Sequence, residues 1–334
     1  MHLFELTRRL IDIESITPNE REIANFLYDR LGNLARAHNG TLERMPVEDG
    51  RDNVFVRFGD SRVTLSTHMD TVPPFLPSRE DGDEIWGRGA CDTKGIIAAM
   101  IVAAEELLRG GKRDFGLLFV VGEERNSAGA LAAARTPRGS RFLINGEPTE
   151  NKLALGSKGA LRYEIIAHGR MAHSAYPELG DSAVLKLLNA LERIRNMPLP
   201  ADDVLGASTL NIATLQGGRA PNVIPDYAVA EIFIRVVDGA QELRRTVEQC
   251  VAPDAEAKEV LFIPAVRLHS LPGFATSVVA YTTDIPAFAG TWGQPFLIGP
   301  GSIHVAHTAE ERIAKSQLTE AVSIYKELVT RLLN

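Results

Sequence analysis

The stretch 118–127, LFVVGEERNS, ends an apolar run with a glycine and then sets Glu123 and Glu124 side by side. Side chains alternate faces along a strand, so the two carboxylates converge on one target only if the chain leaves the strand at Gly122. His68, Asp92, Glu147 and His307 extend the set to two imidazoles and four carboxylates with no thiolate, which suits a pair of zinc, cobalt or manganese ions. In this reading Asp92 bridges the ions, His68 and Glu147 complete one, and Glu124 and His307 complete the other. Asp70, two residues beyond His68, holds one ring nitrogen and leaves the other for metal. Two such ions about 3.5–4 Å apart lower the pKa of a shared water toward about 7 and polarise a carbonyl. A carboxylate beside the ions but not bound to them must take the water's proton and pass it to the departing nitrogen. Glu123 has that part, and Glu124 is the ligand.

Each residue alone has an ordinary reading: a histidine after a strand is usually core or surface, and an aspartate before a helix is usually an N-cap. Their joint position changes this. Short apolar runs at 63–67 (VTLST), 116–122 (GLLFVVG), 141–146 (RFLING) and 295–301 (PFLIGPG) read as strands, and TKGIIAAMIVAAEELLRGG reads as a helix closed by Gly110 and Gly111. Strands alternating with helices imply an α/β domain with a mostly parallel sheet flanked by helices. His68, Glu123, Glu124, Glu147 and His307 all come after strand ends, the edge where open α/β sheets bind ligands. Asp92 lies in GRGACDTKG, a glycine-rich turn before a helix. In SITPNEREIANFLYDRLGNL, Thr17 reads as an N-cap, Pro18 as the first helical residue and Glu20 as the partner in a capping box. The middle of the chain runs strand, helix, two strands, helix, strand, which is a compact α+β unit inserted into the first domain. The expected division is 1–157 with 267–334 for the metal-binding domain and 158–266 for the insert.

The totals exclude other classes. The chain has 334 residues, 45% hydrophobic and 24% charged, with a net charge of -7 and a pI near 5.7. No basic run offers a nucleic-acid surface, and no apolar stretch is long enough to cross a bilayer, so a cytoplasmic protein without nucleic-acid or membrane partners is expected. Cys91 and Cys250 build neither a disulfide framework nor a thiolate zinc site. WGRGACDTKG lacks the third glycine of a dinucleotide fingerprint, and neither Ser127 nor Ser302 sits in a G-x-S-x-G elbow.

STHMDTVPP, WGRGACDTKGIIAAM, VVGEERNSAG, INGEPT, GRMAHSAYPELGDSA, APNVIPD and GPGSIHVAHTAEE resemble the successive motifs of the dinuclear-zinc aminoacylase and carboxypeptidase family. That family includes acetylornithine deacetylases, succinyl-diaminopimelate desuccinylases and glutamate carboxypeptidases. The resemblance implies a zinc-peptidase-like catalytic domain split around a lid or dimerisation domain, two divalent ions, and a homodimer formed through the lid. It implies His68, Asp92, Glu124, Glu147 and His307 as ligands, Asp70 as orienting carboxylate, Glu123 as general acid/base, and a cis peptide between Asp92 and Thr93. His307 is preferred to His304 because HTAEE carries an acidic residue four positions on. His173 matches a histidine that reaches a partner's site and stabilises the oxyanion, while Asn222 and Arg235 match residues that hold the substrate's carboxylate or the reacting carbonyl. The ending resembles the acetylornithine deacetylase branch, so deacetylation of N-acetylornithine, in arginine biosynthesis, is the leading expectation. The alternatives are a desuccinylase, an acyl-lysine or acyl-citrulline deacylase, a di- or aminopeptidase, and an inactive relative kept as a binding protein.

Overall fold

The computed structural model describes residues 2–334, and the chain divides into two compact units. The first comprises the chain up to Leu155 with Leu268–Ser277 and Thr283–Asn334; the second comprises Gly156–Arg267 and Val278–Thr282. The segment Val278–Thr282 thus falls in the second unit, beyond the 158–266 read from the sequence.

The first unit is built on a six-stranded sheet in the order Thr41–Glu48, Arg51–Phe58, Phe115–Val120, Val63–His68, Phe142–Asn145, Gln294–Leu297. The last four in that order are mutually parallel, and the first two are antiparallel. The fold is therefore α/β with a largely parallel sheet. The central strand Val63–His68 is buried along its whole length, as a strand covered on both faces must be. From it the chain goes first to Phe115–Val120 on one side and then to Phe142–Asn145 on the other, which opens a crevice at the carboxyl ends of these strands. The helix Lys94–Arg109 is buried from Lys94 through Ile101; its run of Ile, Ala and Met suits the tight space against the sheet.

Two local features depart from the sequence reading. The antiparallel pair Thr41–Glu48 and Arg51–Phe58 is absent from that reading, although its Asp49–Gly50 turn, with Gly50 at φ +73°, is a hairpin signal. The helix expected from Thr17 begins instead at Arg21, with Glu20 as an N-cap that makes no side-chain cap bond. Thr17 donates to Asp70 and Glu20 pairs with Arg51, so tertiary partners outcompete the local capping box.

The second unit is a four-stranded antiparallel sheet in the order Thr209–Gly217, Tyr227–Val236, Gly159–His168, Glu256–Ile263. Leu161, Tyr163, Ile165, Ala230, Ile232 and Ile234 pack with Leu187, Leu191 and Val247 of the helices Ala183–Arg195 and Ala240–Val251. The residues between them on the two middle strands, from Arg162 to Arg235, are only partly buried, which is the alternation of a sheet covered on one face. Among the described residues no helix is long and apolar enough to cross a membrane.

Candidate metal centre

His68 ends the central strand, and Asp70 fixes its ring. Nδ1 lies 3.0 Å from the Asp70 carbonyl oxygen and 3.4 Å from Asp70 Oδ1, which places the proton there and leaves Nε2 facing Asp92 Oδ1 at 3.0 Å. Asp92 sits in the turn before the Lys94 helix, across a cis peptide to Thr93. Glu311 builds that turn by accepting from the Gly89 and Asp92 amides at 2.9 and 3.3 Å while bound to Arg88. Both members of that ion pair are buried.

Gly122 stops the strand before the glutamates at φ +79°, a conformation that favours glycine. The Glu123 and Glu124 amides then donate to Asp70 Oδ1 and Oδ2 at 3.1 and 3.2 Å. Glu124 meets His307 Nε2 at 3.1 Å, and the same nitrogen lies 3.2 Å from Asp92 Oδ2. His307 holds φ +62°, an uncommon left-handed geometry for a non-glycine residue. His304 is exposed and its backbone amide turns to Ser302. Glu147 comes just after Phe142–Asn145, and its loop is tied to the central strand by Gly146 N to Ser66 O (2.8 Å) and Thr67 Oγ1 to Gly146 O (2.7 Å).

The electrostatics are those of buried carboxylates gathered around two histidines. Burial pushes the Glu123 and Glu147 carboxyls well up; the nearby His68 opposes this, while neighbouring carboxylates, Asp284 among them, add to it. Burial also pushes Asp92 up, yet hydrogen bonds from His307 and His68 outweigh it and hold Asp92 below the carboxylate range. His307 is raised to about 10 by Asp92 and Glu124. A buried oxygen of Glu147, Oε1, has no hydrogen-bond partner. Ligand atoms of His68, Asp92 and Glu124 all lie within 4.8 Å of one another. Divalent cations fit this donor set, because they would satisfy the orphaned Glu147 oxygen and would replace the protons that now hold like charges together.

Of the other anticipated residues, His173 and Asn222 lie in the second unit, where Ser174 N donates to Asn222 O at 3.0 Å beside the short paired strands Ala172–His173 and Val223–Ile224. Both side chains are exposed. Arg235 is half-buried over the Phe233 ring at 4.7 Å and has no ion-pair partner among the described residues. Asp284 escapes the sequence reading. It is 1% exposed, and burial raises it to about 7 against the pull of Ser127 and His68. Nothing in TTDIPAF marks it, whereas the acidic position after His307 does point to Glu311. Cys91 is fully buried against Gly301, and burial raises its thiol, which removes it as a nucleophile.

The model of peptidase family M20/M25/M40 matches residues 64–331. A peptidase M20 domain-containing protein of Schizosaccharomyces pombe is 40% identical over 98% of this chain and 84% of its own. A probable carboxypeptidase of Aspergillus clavatus is 38% identical over 98% of this chain and 82% of its own. The crystal structure of the aminopeptidase PepT from Bacillus cereus superposes with a TM-score of 0.84 at 18% identity, covering 99% of this chain and 98% of that one. The chain thus belongs to peptidase family M20/M25/M40 and is a hydrolase of peptide or amide bonds.

Proposed function

We propose that the chain is a two-metal hydrolase that cleaves the amide bond on the amino side of an amino acid bearing a free carboxylate. The carrying observation is Glu123. Its carboxylate sits at the cluster with no hydrogen bond or ion pair among the described residues, and burial raises its basicity. A carboxyl group without such partners is available to exchange a proton, whereas Glu124 is committed to His307. Divalent ions held by His68, Asp92, Glu124, Glu147 and His307 would supply a water of lowered pKa and polarise the scissile carbonyl. Glu123 takes the water's proton and returns it to the leaving nitrogen. Asp70 keeps His68 in one tautomer, Arg235 and Asn222 hold the substrate's carboxylate or carbonyl, and His173 stabilises the oxyanion from a partner chain.

The bond is the same in an N-acyl amino acid and at the carboxyl end of a peptide. The motif pattern favours N-acetylornithine; the name given to the Aspergillus relative favours a short peptide. The deciding experiment strips the protein with chelator, restores zinc, cobalt or manganese, and assays N-acetyl-L-ornithine beside other N-acyl amino acids and dipeptides. Metal-dependent release of a free amino acid is expected. Cleavage of acetylornithine ahead of dipeptides assigns a deacetylase, the reverse order assigns a peptidase, and silence across the panel with metal bound overturns the catalytic reading.

A further inference from the structure

We propose that Thr17 is a positioning residue for the metal centre, acting through Asp70; the proposal rests on the roles just given to His68, Glu123 and Glu124. Asp70 is fully buried, and its carboxylate serves four donors. Oδ1 takes the Glu123 amide at 3.1 Å and lies 3.4 Å from His68 Nδ1, while Oδ2 takes the Glu124 amide at 3.2 Å and the Thr17 hydroxyl at 2.6 Å. Thr17 supplies the shortest of these contacts, and it is the one that comes from outside the two loops it aligns. Without it, Oδ2 keeps a single backbone donor, and the carboxylate is held less firmly against turning about its Cβ–Cγ bond. That rotation loosens the His68 ring and the start of the Glu123–Glu124 turn together.

The surrounding loop does not depend on that hydroxyl. Thr17 N donates to Thr71 O at 3.2 Å and Thr71 N to Ser15 O at 3.0 Å. Ser15 Oγ donates to Met69 O at 2.8 Å and Lys94 Nζ to Ile13 O at 2.7 Å. Valine at position 17 therefore removes one hydrogen bond while the loop keeps its anchors. Ser15 is the matched control, since its buried hydroxyl binds the same segment without touching Asp70.

The test compares wild type with Thr17→Val, Thr17→Ser and Ser15→Ala. Zinc affinity is measured by competition with a chromophoric chelator, kcat and KM on whichever substrate the wild type cleaves, and melting temperature on each. Thr17→Val is expected to lose about 10- to 100-fold in zinc affinity or kcat, with KM held within about twofold. Thr17→Ser is expected to recover most of the loss, and Ser15→Ala to melt lower while keeping zinc affinity and kcat. Unchanged zinc affinity and kcat in Thr17→Val overturns the proposal, as does an equal loss in Thr17→Ser or in Ser15→Ala. Wild-type protein that binds no zinc overturns the metal reading itself, so the two failures are distinguishable.

Discussion

Glu123 and Glu124 are neighbours with opposite circumstances: Glu124 is bound to His307, and Glu123 has no side-chain partner among the described residues. Glu123→Gln keeps the shape and removes the proton acceptor, so metal content by elemental analysis should match wild type while kcat falls about 10²- to 10⁴-fold. Turnover at the wild-type rate would take Glu123 out of the mechanism. His307 yields a prediction for the metal-free protein. Its folded pKa of about 10 stands above the ordinary 6.5 because Asp92 and Glu124 hold the charged ring. A raised folded pKa contributes stability that is complete below the unfolded value and disappears as pH rises through the folded one. The melting-temperature gap between chelator-treated wild type and His307→Gln should therefore be widest near pH 6 and close by about pH 10. A gap that stays constant with pH would show that the ring is not held as a cation.

At the scale of elements, the site depends on a left-handed turn at Gly122 that glycine adopts without strain. A Cβ on Gly122 would lie 2.8 Å from Arg51 Nη2, and Arg51 is itself pinned by Glu20 and Glu48. Gly122→Ala should cost about 1–2 kcal/mol from the left-handed backbone alone, read by denaturant unfolding, and should lower kcat because the turn carries Glu123. Wild-type stability in that variant would refute the steric account. The donors themselves are legible in the sequence because strand ends can be read from apolar runs, and a parallel sheet gathers those ends at one edge. Thr17 and Glu20 mislead for a physical reason. A hydroxyl and a carboxylate three residues apart can serve the local helix start or distant partners, and only the fold shows Asp70 and Arg51 waiting for them. Asp284 carries no local signal at all, since a buried carboxylate in an irregular loop has no periodicity to betray it.

At the scale of the molecule, the second unit leaves one sheet edge unguarded. Proteins usually protect an edge strand with charge. Glu256–Ile263 has Lys258 paired to Glu164 and Glu259 paired to Arg244. The opposite edge, Thr209–Gly217, reads TLNIATLQG, has no charged residue and is exposed along nearly its whole length. Ile212 and Leu215 are exposed there, and Leu185 and Leu188 are exposed three residues apart on the Ala183–Arg195 helix. If the chain pairs with a second copy through this unit, as proposed for His173, that copy would pair the edge and cover the leucines. Leu215→Lys with Leu188→Glu should then shift the protein from dimer to monomer in light scattering after size exclusion. If His173 acts on a partner's site, the monomeric variant should lose turnover in the same measure as His173→Ala while retaining its metal. Full activity in a proven monomer would instead confine the chemistry to one chain and leave His173 without its role.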